Sequence, residues 1–278
     1  MYRTNKIATL ASIALLSSSF SGIAMSNTMG GAVNVAIIGE ADTLDPMISS
    51  KDVVGTVTQH IYETLFTFDG SWAPAPLLAE SMPEVSSDGL TYTIKIRQGV
   101  NFHDGSSMDS ADVVDSLNRW LSIASRGKSV ASKVDSVTAL DSHTVQIQLN
   151  AVYSPLLSLM SMNNAAAVIY PQENIKGADL AAPIGTGPYK VNEYKADQYL
   201  QLVRYDGYSS STSAIDGASG PRERYLDEIN FIPVGDVSTR LEGLLSGQFD
   251  FAESIAAESY DRLDSSSNAE PVLLAPYG

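Results

Sequence analysis

The chain has 278 residues, 44% of them hydrophobic and 18% charged, and it contains no cysteine. That is enough apolar chain for one large domain or two ordinary ones, and it excludes disulfides, thiolate zinc sites, iron–sulfur clusters and cysteine nucleophiles. A formal net charge of −15 should repel a polyphosphate backbone, so no nucleic acid is expected as partner.

Arg3 and Lys6 precede an apolar run from Ile7 to Phe20, and small residues follow through Ser26. This is the pattern of a cleaved secretory signal peptide over residues 1–26, and the run is shorter than the roughly 20 apolar residues of a membrane-spanning helix. Export without cysteine suggests a bacterial periplasm. Ala32–Ile38 reads as a first strand, and 40–51 as a loop rich in turn formers. Asp52 can cap a helix running to about Thr64, with Val53, Val57, Ile61 and Leu65 at helical spacing. Leu90, Tyr92, Ile94 and Ile96 alternate with polar residues after the Asp88-Gly89 turn, and Val145, Ile147 and Leu149 do the same; both are half-buried strands. Between them Asp109 or Ser110 caps a helix with Val113, Leu117 and Trp120 in one apolar stripe.

In the second half, 187–194 and 199–205 form a hairpin turning at Ala196-Asp197. Residues 209–220 are almost purely small and polar, a flexible surface loop. Tyr225–Val234 is a strand, Asp236 caps a helix stopped by Gly247, and Phe249–Ala252 is a short strand. Strands and helices mixed in this way argue for a layered α/β or α+β fold.

Motifs for bond chemistry are missing or incomplete. His60, His103 and His143 lie about forty positions apart, too far for a local metal motif. His103 beside Asp104 could suggest an acid–base pair, but neighbours in an extended segment point opposite ways. RGKS (126–129) lacks the first glycine of a phosphate loop, and GTGPYK (185–190) lacks the third glycine of a dinucleotide fingerprint. A secreted glycoside hydrolase using paired carboxylates stays open as an alternative, because spatial separation is invisible in a sequence.

Several strings in fixed order carry more information than any motif: ADTLDP (41–46), IYETLFTFDG (61–70), PLLAES (76–81) and DGLTYTIKIRQGVNFHDGSSMDSADVVDSLNRW (88–120). GTGPYKVNEYK (185–195), YLDEINFIPV (225–234) and RLEGLLSGQFDF (240–251) follow. Together they resemble the extracellular solute-binding proteins of bacterial ABC importers in the dipeptide, oligopeptide and nickel class, solute-binding protein family 5. The resemblance implies a mixed α/β (α+β), periplasmic-binding-protein-like class II lobe. It is expected to be incomplete, because the chain ends at Gly278 near the crossing to a second lobe. It implies a main subdomain of residues 27–64 plus 176–278 and an inserted one of 65–175. It also implies a periplasmic carrier, monomeric at full length, that hands a small solute (a dipeptide or oligopeptide first) to an inner-membrane ABC permease. No cofactor and no catalysis are implied; a chemosensory solute-binding protein is the remaining alternative. The ligand-facing residues are expected in three places: Ser49, Ser50, Lys51 and Asp52 after the LDP string; Met160, Ser161, Met162 and Asn163; and Tyr277. Lys51 would offer a carboxylate partner and Asp52 an amine partner.

Overall fold

The structure, a computed structural model, describes residues 29–272. The leader reading (1–26) and Tyr277 therefore lie outside the described residues. The first part of the chain forms β1 (Ala32–Ile37), α1 (Asp52–Thr58), β2 (Phe66–Phe68) and β3 (Pro74–Pro76). Next come β4 (Glu84–Val85), β5 (Thr91–Lys95), α2 (Ser110–Ile123), α3 (Ser125–Ala131), β6 (Val134–Asp141), β7 (Thr144–Leu149) and α4 (Leu156–Met160). The last part contains β8 (Ile175–Lys176), β9 (Asp179–Leu180), β10 (Tyr189–Lys195), β11 (Tyr199–Arg204) and β12 (Glu228–Pro233). It closes with α5 (Val237–Leu245), β13 (Phe251–Ala252) and α6 (Tyr260–Asp264).

Two sheets dominate. One has the order β10-β11-β12-β1-β13, so its strands come from opposite ends of the chain. β1 runs parallel to β12 on one side and to β13 on the other, with Val35 level with Phe231 and Phe251. The other sheet, β4-β5-β7-β6, is antiparallel and local, drawn from residues 84–149. In β5 and β7 the alternation places Tyr92, Ile94, Val145 and Ile147 inward under α2, whose Val113, Leu117 and Trp120 are buried. One contiguous apolar core joins both sheets through Ile61, Leu65, Phe66 and Tyr170.

α2 begins as the sequence predicts. The Asp109 carboxylate accepts from the amides of Ala111 and Asp112, and Asp112 returns the bond to the Asp109 amide, closing a capping box. α1 departs from expectation twice. Lys51, not Asp52, occupies the N-cap position, and its side chain makes no capping bond. The helix also stops at Thr58 instead of Thr64. Beyond it the chain is recruited by tertiary partners: the carbonyls of His60 and Ile61 accept from the amides of Tyr189 and Gly187, and that of Glu63 from Ile169. Each of those acceptors would otherwise serve the next helical turn, so sheet formation wins over helical periodicity.

The segment read as a flexible surface loop, 209–220, is instead pinned at several points. The Ser209 carbonyl accepts from Arg97, the Asp216 carboxylate accepts from the Gly70 amide at 2.9 Å, and the Ala218 amide donates to the Phe68 carbonyl. Gly217 packs flat against the Asp69–Gly70 backbone, where a Cβ would stand 2.4 Å from backbone atoms. Small polar residues here serve close approach, a use that composition cannot tell from disorder.

Candidate functional site

A cleft of about 850 Å³ opens beside α1. The helix buries Val53, Val54 and Val57 and turns Asp52, Thr56 and Gln59 to the cleft, spacings that put them on one face. Gly55 sits on the far wall's backbone. A Cβ there would meet the Asn163 carbonyl oxygen at 3.0 Å, so this position must be small to let the two walls touch.

The facing wall is the segment from Ser158 to Val168. It is strapped to its surroundings by Ala165, which adopts a left-handed backbone (φ 45°) that alanine rarely takes. The Ala165 amide donates to the Ser49 carbonyl and its own carbonyl accepts from the Trp120 indole at 2.8 Å. Neighbouring Asn164 is a relay between charges. Its side-chain oxygen accepts from Arg126 (Nη2, 2.6 Å; Nε, 3.2 Å), and its amide nitrogen donates to Asp52 at 3.0 Å. The remaining wall carries Phe68 and Trp72 on the β2–β3 turn, with ring centroids 5.9 Å apart. Trp72 has a positive φ of 64° and is 62% exposed, held there by a turn in which the Asp69 carboxylate accepts three bonds from Ser71 and Ala73.

At the other end of α1, Arg222 donates to the Gln59 carbonyl at 3.0 Å and stands 3.9 Å from the Glu63 carboxylate. Glu63 is buried and accepts from the hydroxyls of Thr186 and Tyr208, both at 2.9 Å. Burial, then the neighbouring Glu63 charge, push the Tyr208 phenol well above its ordinary range, so it stays a donor. Tyr62, on the cleft floor, is 2% exposed and its hydroxyl has no hydrogen-bond partner among the described residues. Burial likewise pushes its phenol far up.

The expected site residues divide into three groups. Asp52, Ser161, Met162 and Asn163 line the cleft together. Ser49 and Ser50 contribute backbone carbonyls that hold Ala165 and Asn164, and the exposed Lys51 ammonium is turned onto Asp42 at 2.6 Å. Met160 is 1% exposed and belongs to the core. Sequence reasoning missed Thr56, Gln59, Tyr62, Phe68, Trp72, Arg126, Asn164 and Arg222. Thr56 and Gln59 were findable as the polar stripe of a helix begun at Asp52; the arginines were not, because only tertiary folding brings them to α1.

Bond chemistry has no support in this arrangement. Asp52 is the one carboxylate among the residues lining the cleft, whereas a glycosidase needs two. His103 and Asp104 do not pair: the imidazole lies against Gly185 and Gly187, and the Asp104 carboxylate accepts from the Ser106 amide and hydroxyl. Among the described residues no group of three or more His, Cys, Asp or Glu could hold a metal ion.

Residues 73–276 match the family model described as bacterial extracellular solute-binding proteins, family 5 Middle. The chain belongs to this family. It is 31% identical over 242 residues to the glutathione-binding protein GsiB of Escherichia coli (strain K12), covering 86% of this chain and 45% of that protein. The chain is also similar to solved structures. The periplasmic binding protein DppA of Helicobacter pylori, in complex with the peptide STSA, superposes with a TM-score of 0.74 at 25% identity over 87% of this chain and 50% of that one. The oligopeptide-binding protein AppA of Bacillus subtilis, in complex with a nonapeptide, gives a TM-score of 0.74 at 27% identity over 87% and 47%. The chain spans about half the length of the curated relatives it matches. The expected mixed α/β, periplasmic-binding-protein-like architecture is the one these structures share.

Proposed function

We propose that this chain is the solute-capturing component of an ABC importer, working in the periplasm and delivering a peptide-like solute to an inner-membrane permease. The observation that carries the reading is the cleft beside α1. It combines opposite charges at fixed positions, many neutral hydrogen-bonding side chains, and exposed aromatic surface at its rim. Such a cleft suits reversible capture of a small polar molecule: desolvated contacts give affinity, and placed polar groups give specificity. A dipeptide or short oligopeptide, with an ammonium, a carboxylate and amide groups, matches that lining better than a sugar or a bare metal ion. The names of the relatives, with glutathione, a tetrapeptide or a nonapeptide as ligands, support the same class. Residues 27–64 with 176–278 as a main subdomain, and 65–175 as a second one packed on it, form the framework in this reading. The leader over residues 1–26 accounts for export.

The test is a thermal-shift and calorimetric screen of the purified protein against short peptides. A peptide that binds the folded state raises the melting temperature with the logarithm of its concentration over Kd, without being consumed. Turnover of a ligand, or no stabilisation by any peptide at millimolar concentration, would overturn the proposal.

A further inference from the structure

We propose that Asn164 is a positioning residue of the cleft: its neutral carboxamide stands between Asp52 and Arg126, fixes both, and keeps them from neutralising each other. This rests on the solute-capture reading above and adds the device that leaves two opposite charges open to a bound solute.

A guanidinium only donates and an ionised carboxylate only accepts, so two such groups brought close together favour a direct ion pair. None joins Asp52 to Arg126 among the described residues. Asn164 intervenes. Its Oδ1 accepts from Arg126 Nη2 at 2.6 Å and Nε at 3.2 Å, and its Nδ2 donates to Asp52 Oδ1 at 3.0 Å. The charged partners assign the orientation of the amide, because only its oxygen can face the guanidinium and only its nitrogen the carboxylate. Few side chains could take this place. Asp or Glu lacks the donor, Lys or Arg lacks the acceptor, and a Ser or Thr hydroxyl has a single oxygen on a shorter stem.

The mounting of Asn164 is rigid. Its backbone carbonyl accepts from Arg126 Nε at 3.0 Å, and its Nδ2 also reaches the Ser50 carbonyl at 3.3 Å. The next residue, Ala165, is tied by its amide to the Ser49 carbonyl and by its carbonyl to the Trp120 indole. These two bonds hold Ala165 at its left-handed φ of 45°, a strained backbone of the kind that persists only where the surroundings over-determine it. Asp52 on α1, Arg126 on α3 and Asn164 on the facing wall all line the cleft. Arg126 Nη1 and Asp52 Oδ2 make no hydrogen bond among the described residues, so each charged group keeps a position for a ligand. A solute with an ammonium and a carboxylate therefore meets an acceptor and a donor already oriented, with no ion pair to break first.

Trialanine, a zwitterion without charged side chains, is the probe. It is titrated calorimetrically, up to millimolar concentration, into the wild type, Asn164→Ala, Asp52→Asn and the double variant, with circular-dichroism melts to confirm folding. Asn164→Ala should weaken binding about tenfold, the scale of one charge-assisted contact. Asp52→Asn should weaken binding in the wild type, where it removes the partner of the ammonium. In the Asn164→Ala background it should strengthen binding, because it releases Arg126 from the ion pair. A role confined to stability cannot reverse that sign. Asn164→Gln keeps donor and acceptor and should bind more tightly than Asn164→Ala. Should Asn164→Ala fold poorly, Asn164→Leu, of similar size and without a polar atom, takes its place. A crystal structure of the Asn164 variant without peptide should show Asp52 and Arg126 joined, with nitrogen and oxygen within about 4 Å. Groups that stay apart in that crystal, or an Asp52→Asn effect of the same sign in both backgrounds, overturn the inference. Absence of trialanine binding to the wild type counts against capture of short peptides, while the crystal structure still decides the role of Asn164.

Discussion

His103 accepts the Gly185 amide on Nδ1 at 3.3 Å and donates from Nε2 to the Gly187 carbonyl at 2.9 Å. These partners assign the neutral ring, protonated on Nε2, because a charged imidazole could not accept from Gly185. Burial lowers its pKa to about 4 from 6.5. The unfolded chain therefore takes up the proton first as pH falls. The stability this site gives is full above about pH 6.5, declines between 6.5 and 4, and is lost below, by about 3 kcal/mol at 1.4 kcal/mol per unit. His103→Gln should lose this part of the acid sensitivity. Thermal melts from pH 7 to 4 check it, and identical slopes for the variant and the wild type would contradict the assignment.

The NFHDG and GTGPYK strings thus explain one another: a histidine seated between two glycines that must be glycines. A Cβ at Gly185 would lie 2.2 Å from the Ile61 carbonyl oxygen, and one at Gly187 2.5 Å from that of His60. A second buried polar site does similar work. Arg119 and Asp45 form an ion pair with side chains 2% and 10% exposed, and the Tyr170 hydroxyl donates to Asp45 at 2.7 Å. Removing one partner leaves the other charge buried, so Arg119→Met should destabilise by about 3–5 kcal/mol. Adding Asp45→Asn should recover part of that loss, and a urea-denaturation double-mutant cycle measures the coupling. Additivity of the two substitutions would show that the pair is not a unit.

Elements were legible where their signals are local. The Asp109 cap, the alternations of β5 and β7, the β10–β11 hairpin and the Asp236-capped α5 all follow from nearest neighbours in sequence. α3 was not, because SRGKSVA has no apolar stripe; it forms against α2. Gly127 is the contact, since a Cβ there would lie 1.9 Å from the Trp120 carbonyl oxygen. The RGKS string is therefore a helix junction, with its arginine carried to the cleft. β6 escaped notice for a related reason: only one of its residues, Val137, is buried, so no alternation marks it. Two measurements bear on this scale. Asp109→Ala should cost about 1 kcal/mol of stability, read as a lower urea midpoint with unchanged slope. Gly127→Ala should cost more, because backbone rather than a mobile side chain must yield; an equal or smaller effect would mean that the α2–α3 junction is loosely packed.

At the scale of the whole molecule, the sequence indicated a mixed fold but placed only a minority of the candidate cleft, Asp52 and the segment from Ser161 to Asn163. Lining residues come from segments as distant as Asp52 and Arg222, and no spacing rule links them. The same long reach governs how the main sheet is held. β1, at the beginning of the described residues, is an inner strand: its Asn34 amide donates to the Asp250 carboxylate, and the Asn34 and Ala36 carbonyls accept from the amides of Asp250 and Glu253. Its other edge runs alongside β12 from Ala32 to Ile37. The sheet cannot close until residues more than two hundred positions apart have met, a large loop-closure entropy recovered only when β1 enters. A strand flanked on both sides exposes no amide until its neighbours separate. Native-state hydrogen exchange should therefore place the Val35 and Ile37 amides among the slowest, opening with the free energy of global unfolding. The antiparallel sheet of residues 84–149, in which β4–β5 and β6–β7 are joined by short turns, should instead open in smaller steps at its edge strand β4. Exchange of β1 amides at the rate of β4 would mean that the N-terminal strand docks late and loosely, and that the wall of the cleft it supports through α1 is not rigid.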